Sequence, residues 1–205
     1  YIVSLLPSHV GATLQLSPVP PNQIDELQKV RLDPLTKLYT RDTWIEKLQH
    51  QNQNQKESWL VLLGIDGFSN VNDGLGHSAG DLYLQQVAAR LKYAYPNALI
   101  GRWNGDEFIL AFHQSSYPDV RTIFQESFVL NEEEFYGSGC VSIVKHQPSL
   151  RLNEQIQQLE WSLRDAKALG RGKTQLHAPE QKNVREVRRQ LFYIENRLRQ
   201  AVALK

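Results

Sequence analysis

The sequence predicts an α/β sandwich with a central, mostly antiparallel five-stranded sheet flanked by helices. Three observations predict it. The periodic segments run helix, strand, helix, hairpin, helix, strand, helix, strand, an order that layers helices on a sheet. Trp59–Leu63 is a continuous apolar run, the pattern of a strand buried on both faces. Asn104-Gly105 sits between the apolar runs Ala98–Ile100 and Phe108–Phe112, and Asn-Gly in that setting is the strongest short-range hairpin signal. A type I′ turn centred on that pair would carry Asp106 and Glu107 at its tip.

The elements follow in order. Tyr1–Leu6 and Ala12–Leu16 read as short strands split by Pro7 and Gly11. Pro18, Pro20 and Pro21 then mark a linker, and Gln23–Arg31 has helical spacing. Residues 1–30 are therefore expected to be the tail of an upstream domain with its connector. Asp33-Pro34 carries a helix-start signal, and a helix with Trp44, Ile45 and Leu48 on its apolar side is expected over Arg41–Gln49. The strand at Trp59 runs into the turn Gly64–Phe68, and a Gly-rich stretch, Asn70–Asp81, leads to a helix burying Leu84, Val87, Ala88 and Leu91. Beyond the hairpin, Val120–Leu130 reads as a helix and Tyr136–Val144 as a strand. A helix with Ile156, Leu159, Leu163 and Ala166 on one face stops at Gly170, and Thr174–His177 is a last short strand. From Val184 the 3–4 spacing of Val187, Leu191, Ile194, Leu198 and Ala201 makes an amphipathic helix.

The 205 residues suffice for one well-cored domain with appendages. A formal net charge of +1 offers no electrostatic case for nucleic acid or an acidic membrane surface. One cysteine, Cys140 in an apolar run, excludes a disulfide framework and reads as a small core residue in a reducing, cytoplasmic compartment. No apolar run approaches the ~18 residues of a membrane helix, and no signal peptide is visible. The chain has no Met, even at position 1, and is expected to be part of a longer protein.

The strand end at Gly64–Phe68 and the hairpin tip are expected side by side. Asp66, Asp106, Glu107 and the backbone N–H groups of the turn would then converge. Amides at a tight turn bind phosphate, and carboxylates bind Mg²⁺. Asn72 and Asp81 offer an amide and a carboxylate suited to a base edge, Asp matching the N1–H and amino donors of guanine. Lys167 and Arg171, i and i+4 near a helix C-terminus, complement the macrodipole or hold polyphosphate. These residues point to a Mg-nucleotide site.

Four motifs then appear in order. Asp33–Arg41 (DPLTKLYTR) resembles an opening D-x-L-T-G-L-x-N-R. Ile65–Phe68, Asn72-Asp73, Gly76-His77 and Gly80-Asp81 resemble D-x-D-x-F-K-x-x-N-D-x-x-G-H-x-x-G-D, and His77 reads as structural. Asn104–Phe108 (NGDEF) is similar to a G-G-D-E-F signature, and Ala166-Lys167 with Gly170-Arg171 to a closing A-K-x-x-G-R-N. On these residues the segment 31–178 is identified as a member of the GGDEF, or diguanylate cyclase, family. The resemblance implies a nucleotidyl-cyclase-like fold that binds one GTP. Two such domains meet head to head, with two Mg²⁺, to make cyclic di-GMP. It implies that Asn72 and Asp81 read guanine, with Phe68 beside the nucleotide. Lys167 and Arg171 would hold phosphates, and Glu107 and Asp106 would be catalytic. Asp106 and the Ile65 backbone carbonyl would be metal ligands.

The departures from the family pattern shape the functional expectation. The first metal-binding Asp of the family falls on Gly64, its Lys after Phe on Ser69, and its last Asn on Gly172. Asp66 is the candidate replacement ligand. The family's inhibitory product site would fall on Tyr95–Ala98, which lacks its Arg and Asp. Leu191–Val202 resembles the lead-in to an EAL phosphodiesterase domain, so residues 179–205 are expected to be a connector helix. The expected function is a degenerate GGDEF domain that binds GTP and regulates a neighbouring EAL domain. The alternatives are a working diguanylate cyclase and a nucleotide-free dimerisation module.

Overall fold

The computed structural model describes residues 2–8, 11–17, 30–51, 58–113, 117 and 119–177. The helix expected from Val184 lies outside these residues, as does that over Gln23–Arg31 except for Val30 and Arg31, which are not helical. Near the N-terminus, β1 (Ile2–Ser8) pairs antiparallel with β2 (Gly11–Ser17), so Pro7 lies within a strand rather than ending one. Proline is tolerated there because a two-stranded hairpin leaves edge positions that need no ladder donor.

The main sheet has five strands in the order β4 (Leu99–Asn104), β5 (Glu107–Phe112), β3 (Trp59–Ile65), β8 (Gly139–Lys145), β9 (Thr174–His177). Every pairing is antiparallel except β8 with β9. The helices are α1 (Arg41–Gln51), α2 (Phe68–Leu75), α3 (His77–Ala94) and α4 (Leu152–Ala168).

Strand β3 explains why the sheet is a middle layer. Val61, Leu63 and Ile65 join a core with Tyr83, Leu84, Val87 and Leu91 of α3. Leu60 and Leu62 join the opposite core with Trp44 and Leu48 of α1 and Ile156, Leu159 and Leu163 of α4. Side chains alternate across a strand, so burial on both faces requires an uninterrupted apolar run. Cys140 is a fully buried residue of the second core, as expected.

Several local expectations are corrected. Asp33 does not start a helix. Its Oδ1 accepts from the Thr36 N–H (2.8 Å) and hydroxyl (2.7 Å), closing an isolated turn, because a tertiary partner, Arg102, also claims the carboxylate. The Gly-rich stretch is largely helical, and only Gly76, at φ 85°, separates α2 from α3. The hairpin turns at Gly105-Asp106, with Asn104 paired to Glu107, and of its residues only Gly105 has positive φ, so it is not type I′. A register shift between Arg102 and Asn104 moves the turn by one residue.

Val120–Leu130 is not one helix. A 3₁₀ turn (Val120–Phe124) is followed by β6 (Phe128–Leu130), which pairs with β7 (Glu133–Phe135). The Arg90 guanidinium of α3 takes the carbonyls of Ile123, Glu126 and Ser127, so a tertiary donor replaces the amides that would continue a helix. Beyond them the spacing becomes two, with Phe128 and Leu130 buried and Val129 exposed. The strand expected over Tyr136–Val144 begins only at Gly139.

Candidate functional site

Strand β3 and the hairpin tip meet at one end of the sheet. Gly64 pairs with Glu107, and the Ile65 N–H donates to the Asp106 carbonyl (3.1 Å). Past the strand, Gly67 adopts φ 65° and turns the chain into α2, which has no side-chain cap. The first-turn N–H groups of a helix lack intrahelical partners. Gly67, Phe68 and Ser69, which carry them, line a cavity of about 540 Å³. Asn72 lines it from the same helix, and Ile65, Asp66 and Asp106 from the sheet end. Lys167, Gly170 and Arg171 complete it from the end of α4.

Close packing positions these groups. A Cβ on Gly80 would collide with Asn72 Oδ1, so only glycine lets α3 pass that close to the amide. Arg171 Nη2 lies 3.2 Å from where a Cβ on Gly67 would sit, which places the guanidinium against the start of α2. A guanidinium beside an uncapped helix N-terminus is an anion cradle of the kind that holds phosphate. Asp81 is exposed and, like Glu107, is not among the lining residues. His77, expected to be structural, is exposed at the start of α3.

Residues 30–173 match the family described as "Diguanylate cyclase, GGDEF domain". The chain belongs to the GGDEF family. It is 31% identical over 155 residues to the uncharacterized protein YtrP of Bacillus subtilis, covering 72% of this chain and 26% of that one. It is 33% identical over 99 residues to the bifunctional diguanylate cyclase/cyclic di-GMP phosphodiesterase MucR of Pseudomonas aeruginosa, covering 46% and 14%. Among solved structures it resembles the diguanylate cyclase SiaD of P. aeruginosa, crystallised with its activator SiaC, at TM-score 0.67 and 27% identity, covering 76% of this chain and 65% of that one. The chain thus spans only a minor part of these curated relatives. The mixed α/β fold with its five-stranded, mainly antiparallel sheet is the fold of GGDEF structures.

In this GGDEF domain Asp66 is anchored by partners that sequence reasoning missed. Its Oδ2 accepts from the Ser138 hydroxyl (2.8 Å) and the Gly172 N–H (2.7 Å). The bond ties the β3 end to the segment after α4, and Gly172 meets it at φ 65°. The residue that departs from the family pattern thus meets Asp66 through its backbone. Nothing in the local spacing of Ser138 signals this, because the contact joins residues 72 positions apart.

The carboxylates at the tip face a lysine. Lys167 Nζ lies 3.4 Å from Glu107 Oε1 and 3.8 Å from Asp106 Oδ2. Burial pushes the Glu107 carboxyl above its ordinary range; the Lys167 charge opposes the rise, and those of Asp106 and Glu160 add to it. Over Gly64 the lysine stem occupies the space of the missing side chain: a Cβ there would sit 2.7 Å from Lys167 Cε and 2.8 Å from Nζ.

The family implies Mg²⁺ at this place. Mg²⁺ requires near-octahedral oxygen ligands at about 2.0–2.1 Å. Among the described residues no three His, Cys, Asp or Glu are grouped to hold a metal ion. Asp66 Oδ2 is already engaged twice, and the other two carboxylates pair with an ammonium. The residues as arranged do not fit the ion.

Proposed function

We propose that this is a degenerate GGDEF domain in cyclic di-GMP signalling, which binds GTP in the cavity and regulates a neighbouring EAL phosphodiesterase domain. The observation that carries the reading is the asymmetry of the site. The phosphate end keeps Lys167, Arg171 and the uncapped start of α2 around one cavity, and Asn72 lines the same cavity as the candidate base reader. The catalytic end lacks the carboxylate that would stand at Gly64. Asp81, the candidate second reader of guanine, follows Gly80, the glycine of α3 that packs against the Asn72 amide. A bound nucleotide would be held by its triphosphate and base without the metal pair that activates a 3′-hydroxyl. The bifunctional relative MucR supports the tandem arrangement, as does the EAL-like lead-in at Leu191–Val202. Among the described residues no helix is long and apolar enough to cross a membrane, and we place this domain on the cytoplasmic side.

The active-cyclase alternative needs Asp66 to serve as the replacement ligand. Its engagement by Ser138 and Gly172 weighs against that role.

The test is calorimetric titration of the purified chain with GTP, with and without Mg²⁺, followed by chromatography of the same samples for cyclic di-GMP. GTP is expected to bind without product. Product formation overturns the regulatory reading in favour of a working cyclase. Absence of binding in both conditions leaves the dimerisation module.

A further inference from the structure

We infer that Lys167 is a built-in cation that takes the place of the divalent ion at the hairpin tip, so that this site binds an anionic nucleotide without metal and takes no divalent ion on its own. The inference rests on the proposed GTP binding for its first half only. Its second half concerns the empty chain.

The argument starts at Gly64. Its Cα carries no side chain, and the end of Lys167 lies flush against it, with Cε 2.7 Å and Nζ 2.8 Å from the point where a Cβ would stand. A side chain at position 64 and Lys167 in this conformation are therefore mutually exclusive. The backbone at Gly64 is ordinary strand, so glycine is required there only by close approaches, the tightest from Lys167 and the next from Leu163 Cδ2 at 3.2 Å. The same ammonium lies within 4 Å of both tip carboxylates, Asp106 and Glu107. Charge at the tip is thus partly compensated by the protein itself.

A divalent ion would have to compete with that ammonium for two carboxylates, without a third. Mg²⁺ gives up its waters reluctantly and needs several well-placed anionic oxygens. An ammonium carries three rotatable donors and needs only hydrogen-bond acceptors within reach, not a fixed coordination geometry. Lys167 also lines the cavity beside Arg171. One lysine therefore both contacts the two carboxylates and lines the cavity that phosphates would enter.

Two measurements on the whole chain test this. In the first, Mn²⁺ alone is titrated and free ion is followed by electron paramagnetic resonance. Wild type is expected to leave Mn²⁺ free. The Gly64→Asp/Lys167→Met double variant, which restores the carboxylate and removes the competing charge, is expected to bind at least tenfold more tightly. Mn²⁺ binding by wild type that Asp106→Asn abolishes overturns the inference. So does a double variant that folds, by circular dichroism, and gains nothing. In the second, GTP is titrated in Mg²⁺ and in EDTA. Affinities within about twofold support the inference, and a tenfold loss in EDTA overturns it. If GTP binds in neither buffer, the proposed function fails, while the Mn²⁺ arm still decides the role of Lys167.

Discussion

Asp33 and Arg102 are 69 positions apart, yet one guanidinium fork joins them. Arg102 Nη1 donates to both Asp33 oxygens (3.1 and 3.2 Å), and its Nε and Nη2 donate to the Gly105 carbonyl (3.0 and 2.8 Å). The fork ties the hairpin tip to the Asp33 turn, a geometry that lysine does not reproduce. Burial pushes the Asp33 carboxyl up, but hydrogen bonds from Thr36 and the Arg102 charge outweigh it and hold the carboxyl below 3.8. A carboxyl lowered on folding stabilises fully above its unfolded value, and that gain is lost as pH falls through the folded one. Asp33→Ala is expected to cost about 1–3 kcal/mol at pH 7. In urea unfolding, the gap between wild type and variant should narrow as pH drops below that range; a gap independent of pH would remove the electrostatic explanation. Asp33 was legible from its motif, but its partner was not, because an ion pair across 69 residues leaves no local period.

Two elements show how side chains from elsewhere set local structure. Trp44 of α1 is fully buried and donates its Nε1–H to the Leu99 carbonyl (2.9 Å). Its ring lies 3.0–3.1 Å from where a Cβ on Gly101 would sit. Gly101→Ala therefore pushes β4 against a rigid indole that has no room to move. A loss of about 1–3 kcal/mol is expected, as for overpacked cores, measured as a lower urea midpoint. An unchanged midpoint would mean that β4 shifts freely. Arg90 organises the segment from the 3₁₀ turn to β6 through three carbonyls and stacks 3.7 Å over the Phe128 ring. Arg90→Met keeps the stem and removes the donors. We expect amide exchange to speed up in residues 123–130 before it does in β3. Uniform protection in both variants would show that the segment stands without the guanidinium. Val120–Leu130 reads as a helix in the sequence because a sequence window cannot include a donor on α3.

At the scale of the molecule, stability is expected to fall in mild acid. His146 is buried; burial holds the imidazole below its ordinary 6.5, a hydrogen bond with Gln155 opposing this and the charge of His113 adding to it. Its Nδ1–H donates to Gln155 Oε1 (2.9 Å), while Nε2 has no partner among the described residues. Gln155 is fully buried and also bonds the Gln147 N–H and the carbonyls of Gln147 and Leu150, so this ring belongs to the hinge between β8 and α4. The folded state prefers the neutral ring. Its contribution is complete above pH 6.5 and is lost as pH falls towards the lower folded value, because the unfolded chain takes up the proton first. The wild-type urea midpoint should therefore fall between about pH 7.5 and 5.5, and less so in His146→Gln. Equal slopes would assign the acid sensitivity to other groups.

The layers, the central strand and the family were legible from residue order alone. Apolar spacing reports directly which faces must leave water, and the four motifs retain their order and intervals. The mutual placement of β3 and the hairpin tip also followed from it, since both motifs end strands of one sheet. The contacts within the site came from the folded arrangement. It turned the hairpin one residue later, anchored Asp66 to Ser138 and Gly172, and laid Lys167 over Gly64 against Asp106 and Glu107. Each of those outcomes joins residues distant in the chain through side-chain reach and excluded volume. Such contacts depend on where the packed elements bring atoms together, and a linear pattern of residue types does not record that distance.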